Sequence, residues 1–238
     1  MIPKILHQCK ASPHKYYTWE ERRLAKVAQA LMPEWKYNAW MDEDNIALVS
    51  QIFPRYVQNY LDFPNGGSKT DVARYLYMYQ YGGIYFDTDY RFFKSINKTL
   101  LSSCCILAVE LEDFRAFPGL EYPLLGNAFI GSRPGLALWT ELVDSIFTRF
   151  RKGDIPPDAV HWSGPLALTE FLRMRKQYEQ LVTILPSKVV YPRRIRFNLT
   201  GARNGDTIGV HLCWSSWRNM SLPHKVKNRT RRILSALA

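Results

Sequence analysis

The segment Tyr81-Gly82-Gly83-Ile84-Tyr85-Phe86-Asp87-Thr88-Asp89 constrains the fold more than any other stretch of the chain. Val72, Tyr75, Leu76 and Tyr79 recur at i, i+3, i+4 and i+7, which predicts a helix over Lys69 to Gln80 with one apolar stripe. The glycine pair permits a sharp reversal, and Ile84-Tyr85-Phe86 reads as a short buried strand. A helix turning straight into a core strand implies layers of helix on sheet. If the chain stays extended past Phe86, Asp87 and Asp89 project to the same side and reach one hard cation. Oxygen ligands of this kind suit Mg²⁺ or Mn²⁺ and leave positions open for a diphosphate.

The same alternation extends along the chain. An opening strand at Ile2 to Gln8 precedes a helix from about Trp19 to Leu31, and Met32-Pro33-Glu34 breaks it before a second strand, Trp35 to Trp40. Asp42 and Asp44 are placed to cap the next element. Further strands are expected at Cys104 to Val109 and Asn127 to Ile130, flanking a loop that contains Glu110, Glu112, Asp113 and Glu121. A long helix follows Gly135, another begins at Pro165, and Ile208, Val210 and Leu212 alternate with Gly209, His211 and Cys213 as in a half-buried strand. His211 then points away from the apolar face. The expected architecture is α/β, with a mostly parallel central sheet flanked by helices.

A chain of 238 residues, 47% hydrophobic, supports one large core and is read as a single domain, residues 1–238. No stretch reaches the length of a membrane span, and Met1 is followed by a strand pattern rather than a leader, so the expected location is the cytosol. Cys9, Cys104, Cys105 and Cys213 show no metal-finger spacing and are read as reduced thiols. The net charge is +11, and no acid follows Asp206, whereas Arg218, Lys225, Lys227, Arg229, Arg231 and Arg232 do. With Ile233, Leu234 and Leu237 on one face, residues of about 223–238 form a basic amphipathic tail suited to an anionic membrane surface, the rival reading being a solvated tail. Nucleic acid is not an expected partner, because no recognised nucleic-acid module accompanies the charge.

Several motifs in order resemble the sugar transferases of glycosyltransferase family 32: Ile2 to Gln8, Pro33-Glu34-Trp35, Asp71-Val72-Ala73-Arg74-Tyr75, Tyr81 to Asp89, Gly126-Asn127-Ala128-Phe129-Ile130, Ser163-Gly164-Pro165 and His211 to Trp217. The resemblance implies a GT-A fold and a retaining, metal-dependent hexosyltransferase. It would use a UDP- or GDP-hexose with Mn²⁺ or Mg²⁺ and act on a glycan or glycolipid hydroxyl in surface polysaccharide synthesis, and the basic tail adds the expectation of a lipid-linked glycan at the cytosolic membrane face. It also implies roles. Asp87 contacts the donor sugar or ribose and Asp89 the metal, either reaching it directly or through water, and His211 is a further metal or diphosphate contact. Asp71 and Arg74 bind the donor sugar and its phosphate, with Arg74 stabilising developing charge. Asn127 joins the donor site, and Ser216 with Trp217 closes over the phosphates. Simpler readings stand beside these: an ordinary ion pair for Asp71 and Arg74, a structural histidine, a core tryptophan, a turn-capping asparagine. One departure is Cys9-Lys10-Ala11-Ser12 where the family commonly places a tryptophan near the base, so the choice between uridine and guanosine stays open. Two rivals remain: a metal-dependent phosphodiesterase or nucleotidyltransferase, and an inactive membrane-binding protein.

Overall fold

The computed structural model describes residues 1–11, 16–111, 122–156, 158–192, 205–214 and 232. In chain order its elements are β1 (Ile5–Cys9), α1 (Trp19–Leu31), β2 (Lys36–Trp40), α2 (Asp42–Ile52), α3 (Val57–Leu61), α4 (Gly66–Gln80), β3 (Gly83–Phe86), β4 (Tyr90–Phe92), α5 (Lys98–Leu101), β5 (Cys105–Leu111), β6 (Leu124–Ser132), α6 (Ala137–Arg151), α7 (Ala159–Trp162), α8 (Pro165–Met174), β7 (Val182–Leu185), α9 (Ser187–Val190) and β8 (Gly209–His211). Of the sequence expectations, Glu112, Asp113, Glu121, Ser216, Trp217 and the basic tail lie outside the described residues, Arg232 excepted. Among the described residues no helix is long and apolar enough to cross a membrane.

The main sheet has six strands in the order β2-β1-β3-β6-β5-β7. β6 runs antiparallel to both neighbours, and the other five strands share one direction. The sheet is therefore mostly parallel, as expected, with one reversed strand inside it. Both faces are covered. Ile84 and Phe86 point into a cluster with Ile106, Ala108 and Phe129 on one side, while Tyr85 joins Leu107 and Ile130 beneath α4 and α6 on the other. A sheet clothed on both faces explains why β6 is buried at all nine positions.

Local signals set the elements. Thr18 and Glu21 form a reciprocal capping box at the start of α1, and Asn65 Oδ1 accepts the Ser68 N–H at 2.8 Å to start α4. Asp44 Oδ2 accepts the Met41 N–H at 2.8 Å, so one of the two expected caps acts from inside α2. The single stripe expected for α4 is too narrow. Every residue from Asp71 to Met78 is buried, because the helix is wedged between the sheet and the α2 and α6 layer. Each such aliphatic side chain contributes about 1.5–3 kcal/mol. At the end of α4, Gly82 and Gly83 have φ of +62° and +94°, and a Cβ on Gly83 would come within 2.5 Å of the Ile5 carbonyl oxygen. Only glycine lets β3 enter the sheet beside β1 there.

A stacked array underlies the same corner. His7 is fully buried, accepts the Trp40 Nε1–H at its Nδ1 (3.0 Å), and lies roughly parallel to Trp40, Tyr77 and Tyr81. Burial pushes its pKa down to about 4, so it is a neutral core residue. The four cysteines are free thiols, as expected.

Candidate active site

The strand β3 ends at Phe86, and the two aspartates do not continue it. Tyr90 N–H donates to the Asp87 carbonyl at 2.9 Å, closing a turn through Thr88 and Asp89. The expected extended geometry, with i and i+2 on one side, is replaced by this turn, and a different device brings the carboxylates together. β4, directly after the turn, pairs antiparallel with β8, setting Tyr90 opposite His211. This places His211 Nε2 3.1 Å from Asp89 Oδ1 and 3.6 Å from Asp87 Oδ2. One ligand atom from each of Asp87, Asp89 and His211 lies within 4.8 Å of the other two.

Both carboxylates are held from behind. Asp89 Oδ2 accepts the Trp214 backbone N–H at 2.6 Å, and its carbonyl accepts Leu212 N–H at 2.9 Å. Asp87 Oδ1 accepts from Tyr85 OH at 2.9 Å and pairs with Arg74 Nη1 at 3.0 Å, which leaves Oδ2 turned toward His211. Gln8 Nε2 donates to the Asp87 carbonyl at 3.1 Å. The turn's middle residue is anchored too: Thr88 Oγ1 donates to Glu21 Oε1 at 3.0 Å. Glu21, 1% exposed, is itself fixed by Lys10 Nζ at 2.7 Å and the Thr18 N–H at 2.6 Å.

Behind the carboxylates lies a buried polar array. Arg74 is 5% exposed; Nη2 meets Asp71 Oδ1 at 3.2 Å, Nη1 donates to the Asn127 carbonyl at 2.8 Å, Nε to the Thr70 carbonyl at 3.3 Å, and the guanidinium lies 4.7 Å from the Tyr85 ring centroid. Asp71 Oδ1 also accepts from Asn127 Nδ2 at 2.9 Å, and Oδ2 accepts from Ser163 Oγ at 2.8 Å. Asn127 Nδ2 reaches the Tyr75 hydroxyl as well, at 3.0 Å.

The electrostatics follow from burial and pairing. Desolvation pushes Asp71 up to about 6, against the opposing pull of Arg74 and the Ser163 and Asn127 hydrogen bonds. Burial also opposes charge on Asp89, but His211 and the Trp214 N–H outweigh it and hold the carboxyl below its usual range. For His211, burial favours the neutral ring, yet Cys213 and the Asp89 carboxylate overcome it and raise the pKa well above normal. The same two aspartates that would attract a metal ion thus also favour the charged form of the His211 ring.

Two carboxylate oxygens and one imidazole nitrogen, all reaching one small volume, form a donor set that fits Mn²⁺ or Mg²⁺. Of the residues singled out in sequence, Asp71, Arg74, Asp87, Asp89, Asn127 and His211 come together. Glu110, expected in a loop, lies on β5, with Oε1 3.8 Å from His211 Nδ1. Glu21, Tyr85 and Ser163 carry contacts that the sequence reading did not assign. Glu21 does leave a trace, the Thr18-Trp19-Glu20-Glu21 capping box.

The chain resembles known proteins in sequence and in fold. Residues 19–106 match the family described as glycosyltransferase sugar-binding region containing DXD motif. Over 180 residues the chain is 29% identical to mannosyl phosphorylinositol ceramide synthase SUR1 of Saccharomyces cerevisiae, covering 75% of this chain and 44% of that protein. The chain spans less than half the length of the curated relatives it matches. Among solved structures, PaToxG glycosyltransferase superposes with a TM-score of 0.56 at 14% identity, over 99% of this chain and 86% of that one. The UDP-bound glycosyltransferase domain of the YGT toxin gives 0.53 at 9%, over 97% and 89%. Residues 19–106, which hold the Asp87-Thr88-Asp89 turn, thus resemble the sugar-binding region of the DXD-motif glycosyltransferases, and the chain has the GT-A fold of the solved glycosyltransferases it superposes on.

Proposed function

We propose that this chain transfers a hexose, mannose in the first instance, from a nucleotide-diphosphate sugar to a hydroxyl of a glycolipid acceptor, with a divalent ion and with retention of configuration. The observation that carries the reading is the convergence of Asp87, Asp89 and His211 beside the buried Asp71–Arg74 pair. Mannose and an inositol-phosphoceramide type of acceptor are drawn from the name of the SUR1 relative. A nucleotide diphosphate is drawn from the family and from the UDP held by the YGT domain.

Asp87, Asp89 and His211 would hold the divalent ion, which would supply Lewis-acid neutralisation of charge on the departing diphosphate. The chain's own residues do the rest. Asp89 is locked by the Trp214 N–H, so its free edge keeps one orientation without reorganising. Asp87, the most exposed member at 23%, faces the donor sugar. Arg74 was expected to meet the phosphate; with Nε, Nη1 and Nη2 all engaged inside the protein, its role in this reading is to position Asp71 and Asp87. Asp71 and Asn127 form the floor of the sugar subsite, and Ser216 with Trp217 is assigned to closure over the phosphates.

The basic segment 223–238 is proposed to hold the protein on an anionic membrane at its cytosolic face, where a lipid-linked acceptor resides. Arg232, the one described residue of this segment, donates to Thr18 Oγ1 at 3.1 Å and lies over Trp214. The test is a donor panel of GDP- and UDP-hexoses with Mn²⁺, Mg²⁺ or chelator, offered inositol phosphoceramide or a polysaccharide precursor. Release of nucleotide diphosphate with sugar on the lipid, α-configured as in the donor, supports the reading. Release of nucleoside monophosphate or pyrophosphate would instead assign a phosphodiesterase or nucleotidyltransferase, and no turnover with any donor would discard catalysis.

A further inference from the structure

We infer that Cys213 Sγ, His211 Nδ1 and Glu110 Oε1 form a second metal site, selective for a thiophilic divalent ion such as Zn²⁺, on the opposite edge of the imidazole that faces Asp87 and Asp89. The two ring nitrogens point to opposite sides, and here each is furnished with its own donors. Nε2 faces the carboxylates of the DXD turn. Nδ1 lies 3.2 Å from Cys213 Sγ and 3.8 Å from Glu110 Oε1, and the three ligand atoms lie within 4.8 Å of one another. A tetrahedral zinc with ordinary bond lengths needs S···N of about 3.6 Å and N···O of about 3.4 Å, so shifts of about 0.4 Å bring both pairs made by the ring to length, and the sulfur and carboxylate oxygen, within 4.8 Å of each other, must close to about 3.6 Å. All three side chains are partly exposed, which leaves a path for the ion and a fourth position for water.

The chemistry of the two edges differs. Two oxygens and a nitrogen suit a hard ion, whereas a sulfur, a nitrogen and an oxygen suit zinc. Backbone geometry adds a second observation. Cys213 is the one non-glycine residue with positive φ among those described, at 51°. That conformation is uncommon for a cysteine, and it accompanies the turn that sets Sγ against the ring.

A neutral imidazole has a single lone pair. Zinc on Nδ1 displaces the proton of that nitrogen and the Cys213 thiol proton to solvent, and leaves the remaining ring proton on Nε2. His211 is then lost as a ligand to the ion at Asp87 and Asp89, so Zn²⁺ at this site opposes Mn²⁺ at the other. This consequence rests on the proposed metal-dependent transfer; the site itself does not.

The experiment uses Co²⁺ as a spectroscopic probe on the full chain, with folding of each variant checked by circular dichroism. Wild type should show a sulfur-to-cobalt charge-transfer band in the near ultraviolet, which Zn²⁺ displaces. Cys213→Ser should abolish the band and weaken Zn²⁺ binding by at least about tenfold in calorimetry. Asp89→Asn and Cys104→Ser should keep it. In the donor assay, Zn²⁺ inhibition should be relieved by excess Mn²⁺ and be weaker in Cys213→Ser. Absence of the band in wild type, or its survival in Cys213→Ser, overturns the proposal and leaves Cys213 and Glu110 as groups that merely orient His211. A chain with the band that turns over no donor would remove the proposed activity and leave the site standing.

Discussion

Replacing Asp71 by asparagine should make the protein more stable and a poorer catalyst. In the folded chain the Asp71 carboxyl is pushed up to about 6 from 3.8, because its burial outweighs Arg74 and the hydrogen bonds to it. A difference of about 2 units is worth about 3 kcal/mol. The sign comes from proton counting. Between about pH 4 and pH 6 the folded state holds a proton that the unfolded state has released, so stability falls as pH rises, by up to about 1.4 kcal/mol per unit. The contribution is complete below about pH 4 and lost above pH 6. Asparagine is neutral throughout and keeps the contacts: its oxygen can accept from Asn127 and Arg74, and its amide can donate to Ser163 Oγ, whose proton turns to the Ala159 carbonyl at 3.3 Å. Near neutral pH, Asp71→Asn should therefore gain roughly 2–3 kcal/mol, or about 5–10 °C in Tm for a chain of this length. Arg74 would then be drawn wholly toward Asp87, and transfer should fall by about tenfold or more. Thermal and urea unfolding across pH 4–8 decides it. A variant less stable than wild type at neutral pH, or a pH slope unchanged by the substitution, would refute the argument that Asp71 is a buried charge kept at a cost for the site.

Thr88→Val keeps the shape but strips Glu21 Oε1 of its hydroxyl partner; unfolding should show a loss of about 1–2 kcal/mol and calorimetry a weaker Mn²⁺ affinity, and an unchanged affinity would detach Glu21 from the metal loop. Because Cys213 and Asp89 raise the His211 pKa against its burial, Mn²⁺ binding near neutral pH should release up to about one proton; titrations in buffers of different ionisation enthalpy measure this, and His211→Ala should abolish it while weakening binding at least about tenfold. Gly83→Ala meets the Ile5 carbonyl at 2.5 Å at a φ of +94° and should lose more than about 3 kcal/mol or fail to fold, whereas Gly135→Ala, with φ +72° and nothing within 4 Å, should lose only about 1 kcal/mol.

What the sequence made legible was local. The spacing of Val72, Tyr75 and Leu76, the Gly82-Gly83 pair and the alternation around His211 each report on a few neighbouring residues, and they located α4, β3 and β8 within a few positions. The aspartate pair was legible as two carboxylates converging on one point, though the geometry behind it is a turn completed by β8, with His211 122 residues from Asp89. Long-range placement left no such trace. Glu21 reaches Thr88 across 67 residues and Ser163 reaches Asp71 across 92, and nothing in either local pattern distinguishes a helix-capping glutamate from one that also anchors the Asp87-Thr88-Asp89 turn. The enclosure of Arg74 depends on Asn127 arriving on β6, whose reversed direction no periodicity encodes. The His7, Trp40, Tyr77 and Tyr81 stack is likewise assembled from separate elements.

The most direct measurement is a crystal structure of the chain with Mn²⁺ and a nucleotide diphosphate, with the ion located by its anomalous signal. The account predicts one strong peak at roughly 2.0–2.3 Å from an oxygen of Asp89 and from His211 Nε2, with Asp87 in its coordination sphere directly or through water and diphosphate oxygens completing it. A peak elsewhere in the protein, or a bound nucleotide with the Asp89–His211 pair still closed on itself, would contradict it.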